Sequence, residues 1–198
     1  MRFVSYIFEN EAGYGILSSD KKRILPMKDL FEELKMACPI NLLEFIKGYS
    51  SGLIEDLVKI IKNKNIEGIS KGISLDKVKI TAPIPYPRRN IFCLGLNYLD
   101  HAKETTPLGQ DLKVPDYPIY FTKIADPAIG NLDTVIIPKG ITDNVDYEVE
   151  LAVIIGKDGK DIPKEDVEDY IFGYTIANDI SARDIQSAHV QWFRGKSF

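Results

Sequence analysis

Cysteine, histidine and tryptophan are scarce in this chain: two, two and one among 198 residues. Cys38 and Cys93 lie far apart, without the close spacing of zinc ligands, and two cysteines are too few to staple a secreted domain, so buried free thiols are expected. Positive charge is not in excess either. Lys and Arg number 25 against 29 Asp and Glu, a net charge of −4, which excludes the basic surface that nucleic-acid phosphates or anionic lipid would require. No apolar run approaches bilayer length, and the N-terminal "MRFVSYIFENEAGYG" has no apolar segment followed by small residues. Neither a membrane span nor a secretion signal is therefore expected, and the cytoplasm is the expected compartment. Repeats, low-complexity runs and charge blocks are missing, and "CLGLN" lacks the glycine spacing of a phosphate-binding loop.

What is present is enough apolar material, 44% of residues, for a sizeable core. "RFVSYIFE" and "YGILSS" read as a hairpin around a turn at Asn10 to Gly13, and "RILPM" predicts a further strand. Three short amphipathic helices follow. Asp29, with Glu32 three residues on, predicts an N-cap ahead of the stripe Leu30, Phe31, Leu34 and Cys38. Leu42, Leu43, Ile46 and Tyr49 mark the second helix, and Leu53, Ile54, Leu57, Val58 and Ile61 the third. The prolines of "APIPYPRRN" suit an extended crossing between domains. Beyond it, "NIFCLGLN", "YPIYFTK", "TVIIP", "VDYEVELAVIIG" and "YIFGYTIANDI" read as strands, with a helix from Ser181. The predicted fold class is α+β, with a small α+β domain over residues 1–80, a proline-rich linker over 81–90 and a β-rich domain over 91–198.

Three carboxylates form the first candidate site. Glu148 and Glu150 stand two apart and share a strand face, and Asp179 closes a later apolar strand just before Ser181. Unpaired, they would repel one another and be costly to bury. The residues alone leave two readings open: a hard divalent cation held by oxygen ligands, Mg²⁺, Mn²⁺ or Ca²⁺, or a strand end whose carboxylates pair with Lys or Arg. In "NYLDHAKE", His101 and Glu104 lie three apart, which on a helix makes either a base with its orienting carboxylate or an ordinary solvated pair. Ser181 and Asp184 have capping-box spacing, which would put Arg183 and Gln186 in the first helical turns. Lys123 and Lys196 read as isolated surface lysines, His189 and Trp192 as helix or core side chains, and Asp126, Asp143 and Asp146 as loop charges.

Taken in order, "CLGLNYLDHAKE", "PIYFTK", "DYEVELAVIIG", "GYTIANDISARDIQ" and "WFRGKSF" resemble the fumarylacetoacetate hydrolase family across the whole second domain. The resemblance implies a mixed β-roll for that domain and Mg²⁺ or Mn²⁺, with Ca²⁺ a substitute in crystals, bound by Glu148, Glu150 and Asp179. It implies His101 as catalytic base supported by Glu104 on a lid, Lys123, Arg183 and Gln186 lining the substrate pocket, and Lys196 beside it. Several members carry Arg where this chain has Leu96, a difference that bears on substrate choice. Members also continue well past "KSF", so the resemblance implies that a C-terminal part closing the sheet and the pocket is missing.

The activity implied is metal-dependent hydrolysis of a carbon–carbon bond in a 2,4-dioxo acid, of the acylpyruvate or fumarylacetoacetate type, through a metal-stabilised enolate. The alternatives are an oxaloacetate decarboxylase, an isomerase or hydratase of unsaturated 2-oxo diacids such as 2-hydroxyhepta-2,4-diene-1,7-dioate, or a non-catalytic module. A small-molecule 2-oxo acid is the expected partner, within a homodimer.

Overall fold

The computed structural model describes residues 1–69, 72–98 and 116–198, with the side chains of 63–69 left aside. By backbone contacts the chain forms two units. One comprises Met1–Tyr86, Pro127–Thr134 and Ala152–Thr175, and the other Pro87–Asp126, Val135–Leu151 and Ile176–Phe198. The first boundary falls within the proline-rich stretch, while two later segments group with the N-terminal unit rather than with the rest of the predicted second domain.

In the first unit, β1 (Phe3–Phe8) and β2 (Glu11–Leu17) pair antiparallel with Phe8 opposite Glu11. The turn is thus Glu9–Asn10, both at positive φ, the backbone that lets a two-residue hairpin follow the strand twist. It lies earlier than the predicted turn. Gly13 belongs to β2, where the missing Cβ leaves room for the buried Tyr6 ring. β3 (Arg23–Pro26), β4 (Ile73–Ser74) and β5 (Lys79–Ile80) complete a five-stranded antiparallel sheet of order β4-β3-β2-β1-β5.

Helix α1 (Met27–Glu33) follows β3 directly, with Pro26 at its entry and no side-chain cap. Asp29 is therefore not the predicted cap but a first-turn acid, favourable beside the positive helix end. α2 (Leu42–Gly48) is capped by Asn41, whose side chain accepts from the Glu44 N–H at 2.9 Å. α3 (Ser51–Ile69) starts where Ser50 Oγ accepts from the Leu53 N–H. Their apolar faces bury Met27, Leu30, Phe31, Leu42, Phe45, Ile46 and Leu57 against Tyr14, Ile16 and Leu25 of the sheet. Phe45, 1% exposed, is the hub of this core. Its ring stands 5.3 Å from that of Phe3, 6.2 Å from Phe31 and 6.1 Å from Phe172.

In the second unit, β6 (Ile91–Gly95) and β7 (Ile119–Lys123) form an antiparallel pair with Gly95 opposite Ile119. The predicted strand "TVIIP" makes no ladder with any of the described residues. Its side chains are exposed, Ile136 by 80%, and an extended segment is a strand only when a neighbour takes up its hydrogen bonds. The long "VDYEVELAVIIG" strand is broken into β8 (Val145–Asp146) and β9 (Val149–Ile155). β9, whose Ala152–Ile155 belong to the first unit, pairs with β10 (Ile171–Asn178), whose Ile171–Thr175 do so too, and β8 pairs with β11 (Ser181–Ala182). α4 (Arg183–Ala188) and α5 (Phe193–Lys196) end the chain. Along β9 the alternation is inverted. Glu150, Ala152 and Ile154 are partly buried, while Val149, Leu151, Val153 and Ile155 face solvent.

Candidate functional site

The site is assembled by an antiparallel run of segment 144–148 against 179–183. Ser181 stands opposite Asp146 and Ala182 opposite Val145. The Asp179 N–H donates to the Glu148 carbonyl at 2.8 Å, and the Arg183 N–H to that of Asn144 at 2.8 Å. Glu148 and Asp179, far apart in sequence, are thereby cross-strand neighbours, the spacing at which side chains meet. Two carboxylates there require compensation.

It comes from three cations. Lys196 Nζ donates to Glu148 Oε2 at 2.6 Å, Asp179 Oδ2 at 2.9 Å and Ser181 Oγ at 2.7 Å, so all three ammonium protons have acceptors. This lysine is 2% exposed, against the expectation of a surface residue. Lys123, at the end of β7, donates to the carbonyls of Ile180, at 2.7 Å, and Lys196. Its Nζ also stands 2.8 Å from Asp179 Oδ1, in ion-pair contact but off the hydrogen-bonding line. Asp179 Oδ1 is therefore buried without a hydrogen-bond donor among the described residues. Arg183 forks onto Asp146 Oδ2 through Nε at 3.1 Å and Nη2 at 2.8 Å, and pairs with Glu148 Oε1 through Nη1. Gln186 Oε1 accepts from Arg183 Nη1 at 3.1 Å.

Local sequence explains the seating of these groups. The predicted capping box does not form. Ser181 lies in β11, its hydroxyl donating to the Asp179 carbonyl and accepting from Lys196, while Asp184 accepts from Thr142 Oγ1 at 2.6 Å. Lys196 reaches the carboxylates because Gly195 lets α5 approach α4. A Cβ there would meet the backbone of Gln186 and the Ala182 carbonyl. Gly195→Ala is expected to cost about 1–3 kcal/mol, as overpacking against backbone does, read as a lowered midpoint in chemical denaturation. Gly95 likewise admits the Trp192 ring, which packs edge-on against Phe121 at 5.5 Å. Leu96 follows at φ +50°, a backbone that costs a leucine roughly 1–2 kcal/mol.

Electrostatically the pairs hold their charges. Burial alone would raise the Glu148 carboxyl, but the hydrogen bond and charge of Lys196, joined by Arg183, outweigh it and hold the group below its ordinary value. The Arg183 hydrogen bonds hold Asp146 low as well. Both groups bind fewer protons folded than unfolded. Their contribution to stability is thus complete above the ordinary carboxylate range and drains as pH falls through and below about 4. Acid titration of the metal-free protein is expected to show this loss by circular dichroism, and Asp146→Asn to lessen it. Burial, with the Asp179 charge next, pushes the Cys93 thiol up to about 11, so it is no thiolate nucleophile at neutral pH.

Of the predicted metal ligands, Glu148 and Asp179 converge on one ammonium. Glu150 is partly buried on the same face, and its charge is felt at Cys93 with those of Asp179, Lys123 and Lys196. Among the described residues no three such side chains stand gathered at metal-ligand spacing. The donor set nonetheless suits a hard cation: it is all oxygen, it already holds a cation between two carboxylates, and Asp179 Oδ1 has no hydrogen-bond donor. His101 and Glu104 lie outside the described residues. Asp146 and Ser181 are the participants that sequence reasoning missed, although Asp146 shares the alternate spacing of Glu148 and Glu150. No helix among the described residues is long and apolar enough to cross a membrane.

Residues 90–198 match the family model described as fumarylacetoacetate (FAA) hydrolase C-terminal. The chain is 41% identical over 203 aligned residues to the oxaloacetate tautomerase YisK of Bacillus subtilis, spanning all of this chain and 65% of that protein. Among solved structures, it superposes on a fumarylacetoacetate hydrolase from Exiguobacterium antarcticum with a TM-score of 0.73 at 30% identity, covering all of this chain and 62% of that one. It is also similar to a 5-carboxymethyl-2-hydroxymuconate delta-isomerase from Mycobacterium smegmatis, with a TM-score of 0.65, 26% identity and 62% of that chain covered.

Proposed function

The chain belongs to the fumarylacetoacetate hydrolase family, and from that premise we propose that it interconverts the enol and keto forms of oxaloacetate or a closely related 2-oxo diacid. Carbon–carbon hydrolysis, the first expectation from sequence, gives way here to the oxaloacetate and isomerase alternative. That is the direction of the relatives: one similar protein is named an oxaloacetate tautomerase and one similar structure an isomerase. The observation that carries the reading is the meeting of Glu148 and Asp179 across the strand pair, with two lysine ammoniums against them. This is a dense, water-poor charge array suited to stabilising an enolate.

Tautomerisation moves one proton from the C2 enol oxygen and places one on C3. The C2=C3 π bond is lost and a C2=O π bond is gained as the O–H electrons shift, and no σ bond other than these O–H and C–H bonds is made or broken. A divalent cation, Mg²⁺ or Mn²⁺, held by Glu148, Glu150 and Asp179 would supply Lewis acidity toward the 2-oxo acid end of the substrate. The ammoniums of Lys123 and Lys196 favour negative charge on the C2 oxygen. His101, with Glu104 as its support, is the proposed carrier of the proton. Arg183, committed to Asp146 and Glu148, holds the Glu148 carboxylate in place, and Gln186 steadies Arg183. Their proposed role is thus positioning, in place of the direct substrate contact implied by the resemblance. A homodimer is the proposed assembly.

Ketonisation of enol-oxaloacetate, followed by its absorbance with added Mg²⁺ or Mn²⁺, tests the reading. An acceleration over the buffer rate that disappears on chelation is expected. Cleavage of acetylpyruvate without that acceleration would restore the hydrolase, a reading favoured by the Exiguobacterium antarcticum structure. Release of CO₂ from oxaloacetate would favour the decarboxylase. A rate equal to buffer with every 2-oxo diacid overturns the proposal.

A further inference from the structure

We infer that Lys196 is the resident counter-cation of the Glu148–Asp179 pair, and that a divalent cation enters by displacing its ammonium. The inference rests on the reading of these carboxylates as metal ligands and adds what must leave for the metal to bind. Three observations carry it.

First, the ammonium occupies the space between the two carboxylates. Nζ contacts Glu148 Oε2 and Asp179 Oδ2 at 2.6 and 2.9 Å, and an ion drawing on the same two oxygens would stand in its place. Second, the lysine is seated structurally. It is 2% exposed, its third proton goes to Ser181 Oγ, and Gly195 admits α5 closely enough to deliver it. Third, the ion-paired charges balance without a metal. Asp146, Glu148 and Asp179 face Arg183, Lys123 and Lys196, and Glu150 nearby adds one further negative charge, so a dication added beside an unmoved ammonium brings one positive charge more than the carboxylates offset.

Displacement resolves that conflict and gives the freed ammonium a new task. Leaving the carboxylates, it becomes a donor for the substrate's C2 oxygen. Metal occupancy then converts a structural cation into one that faces the reaction. The competing arrangement has the ion on Asp179 Oδ1, the oxygen without a hydrogen-bond donor, with Lys196 left in place.

The test measures Mn²⁺ binding by calorimetry to the wild-type chain and to Lys196→Met. Removing a unit charge about 4 Å from the ion is expected to tighten binding by about tenfold or more. In parallel, Lys196→Met is expected to melt below wild type in chelator and to regain most of the difference with Mn²⁺, because the ion then supplies the missing counter-charge. Equal or weaker Mn²⁺ binding by the variant overturns the displacement while leaving the metal reading intact. Binding to neither protein overturns both.

Should Lys196→Met fail to fold, the lysine side-chain ammonium resonances of ¹⁵N-labelled wild type decide, assigned with Lys196→Arg. A Lys196 signal that moves with Mg²⁺ at the midpoint of Mg²⁺ binding supports displacement. A signal that stays fixed while Mg²⁺ binds places the ion on Oδ1 and overturns it.

Discussion

Asp179→Asn is expected to lower ketonisation of enol-oxaloacetate by roughly a hundredfold to a thousandfold, the range seen when a preorganised electrostatic group is removed from a reacting centre. The change keeps the shape of the side chain and removes its charge. Asp179 is buried, contacts both Lys123 and Lys196, and donates its backbone N–H to Glu148. Without that charge Lys123 loses the carboxylate it pairs with while Lys196 keeps Glu148, and the proposed metal loses an anionic ligand. Breaking a buried pair by removing one partner costs about 3–5 kcal/mol, so loss of stability and loss of activity must be separated. Steady-state rates at a temperature where circular dichroism shows the variant folded do this. Activity within about tenfold of wild type would remove Asp179 from the site.

The second large effect lies in the N-terminal core and touches no chemistry. Phe45→Ala is expected to destabilise the unit that contains it by about 3–5 kcal/mol, the usual cost of deleting a buried ring. The residue is 1% exposed and meets Phe3, Tyr14, Phe31, Tyr49 and Phe172. These belong to two strands of the N-terminal sheet, helix α1, the residue after α2, and a strand much later in the chain. No single neighbour can move to fill the void. Urea denaturation followed in the far ultraviolet measures the cost, and a loss under about 1 kcal/mol would mean that the aromatic cluster collapses around the gap.

Much of the architecture could be read in the residues because it rests on local patterns. Apolar positions three and four apart marked α1, α2 and α3, and strand-forming runs bounded by turn residues marked β1, β2 and β7. Where the sequence misled, a tertiary partner had overridden a local pattern. Ser181 and Asp184 have the spacing of a capping box, yet Lys196 and Thr142 claim their oxygens. "TVIIP" has strand composition but pairs with no strand among the described residues. Gly13 resembles a turn residue, and its real task is to make room for Tyr6.

The site followed the same division. The shared face of Glu148 and Glu150 is legible from their spacing alone, and the link to Asp179 came from the family resemblance. Neither disclosed that Lys196 is buried. Nothing near "FRGKSF" has the periodicity of a core, and the lysine is drawn inward by a glycine's close approach and by acceptors 15 and more positions away. Asp146 passed for a loop charge because β8 is only two residues long, too short for alternation to register. His101 and Glu104, clear as a motif, lie outside the described residues.

The inverted alternation of β9 also bears on how the purified protein is expected to behave in a tube. Val149, Leu151, Val153 and Ile155 form a row of β-branched and aliphatic side chains turned to water, with Tyr174 and Ile176 exposed on the paired strand. A seven-residue strand, four of whose residues are β-branched, with one charge, Glu150, turned to the other face is close to the pattern from which ordered aggregates grow. This apolar row is expected to limit the chain's solubility more than its net charge of −4 supports it. A single outward charge, Val153→Lys, is expected to raise the concentration at which it precipitates.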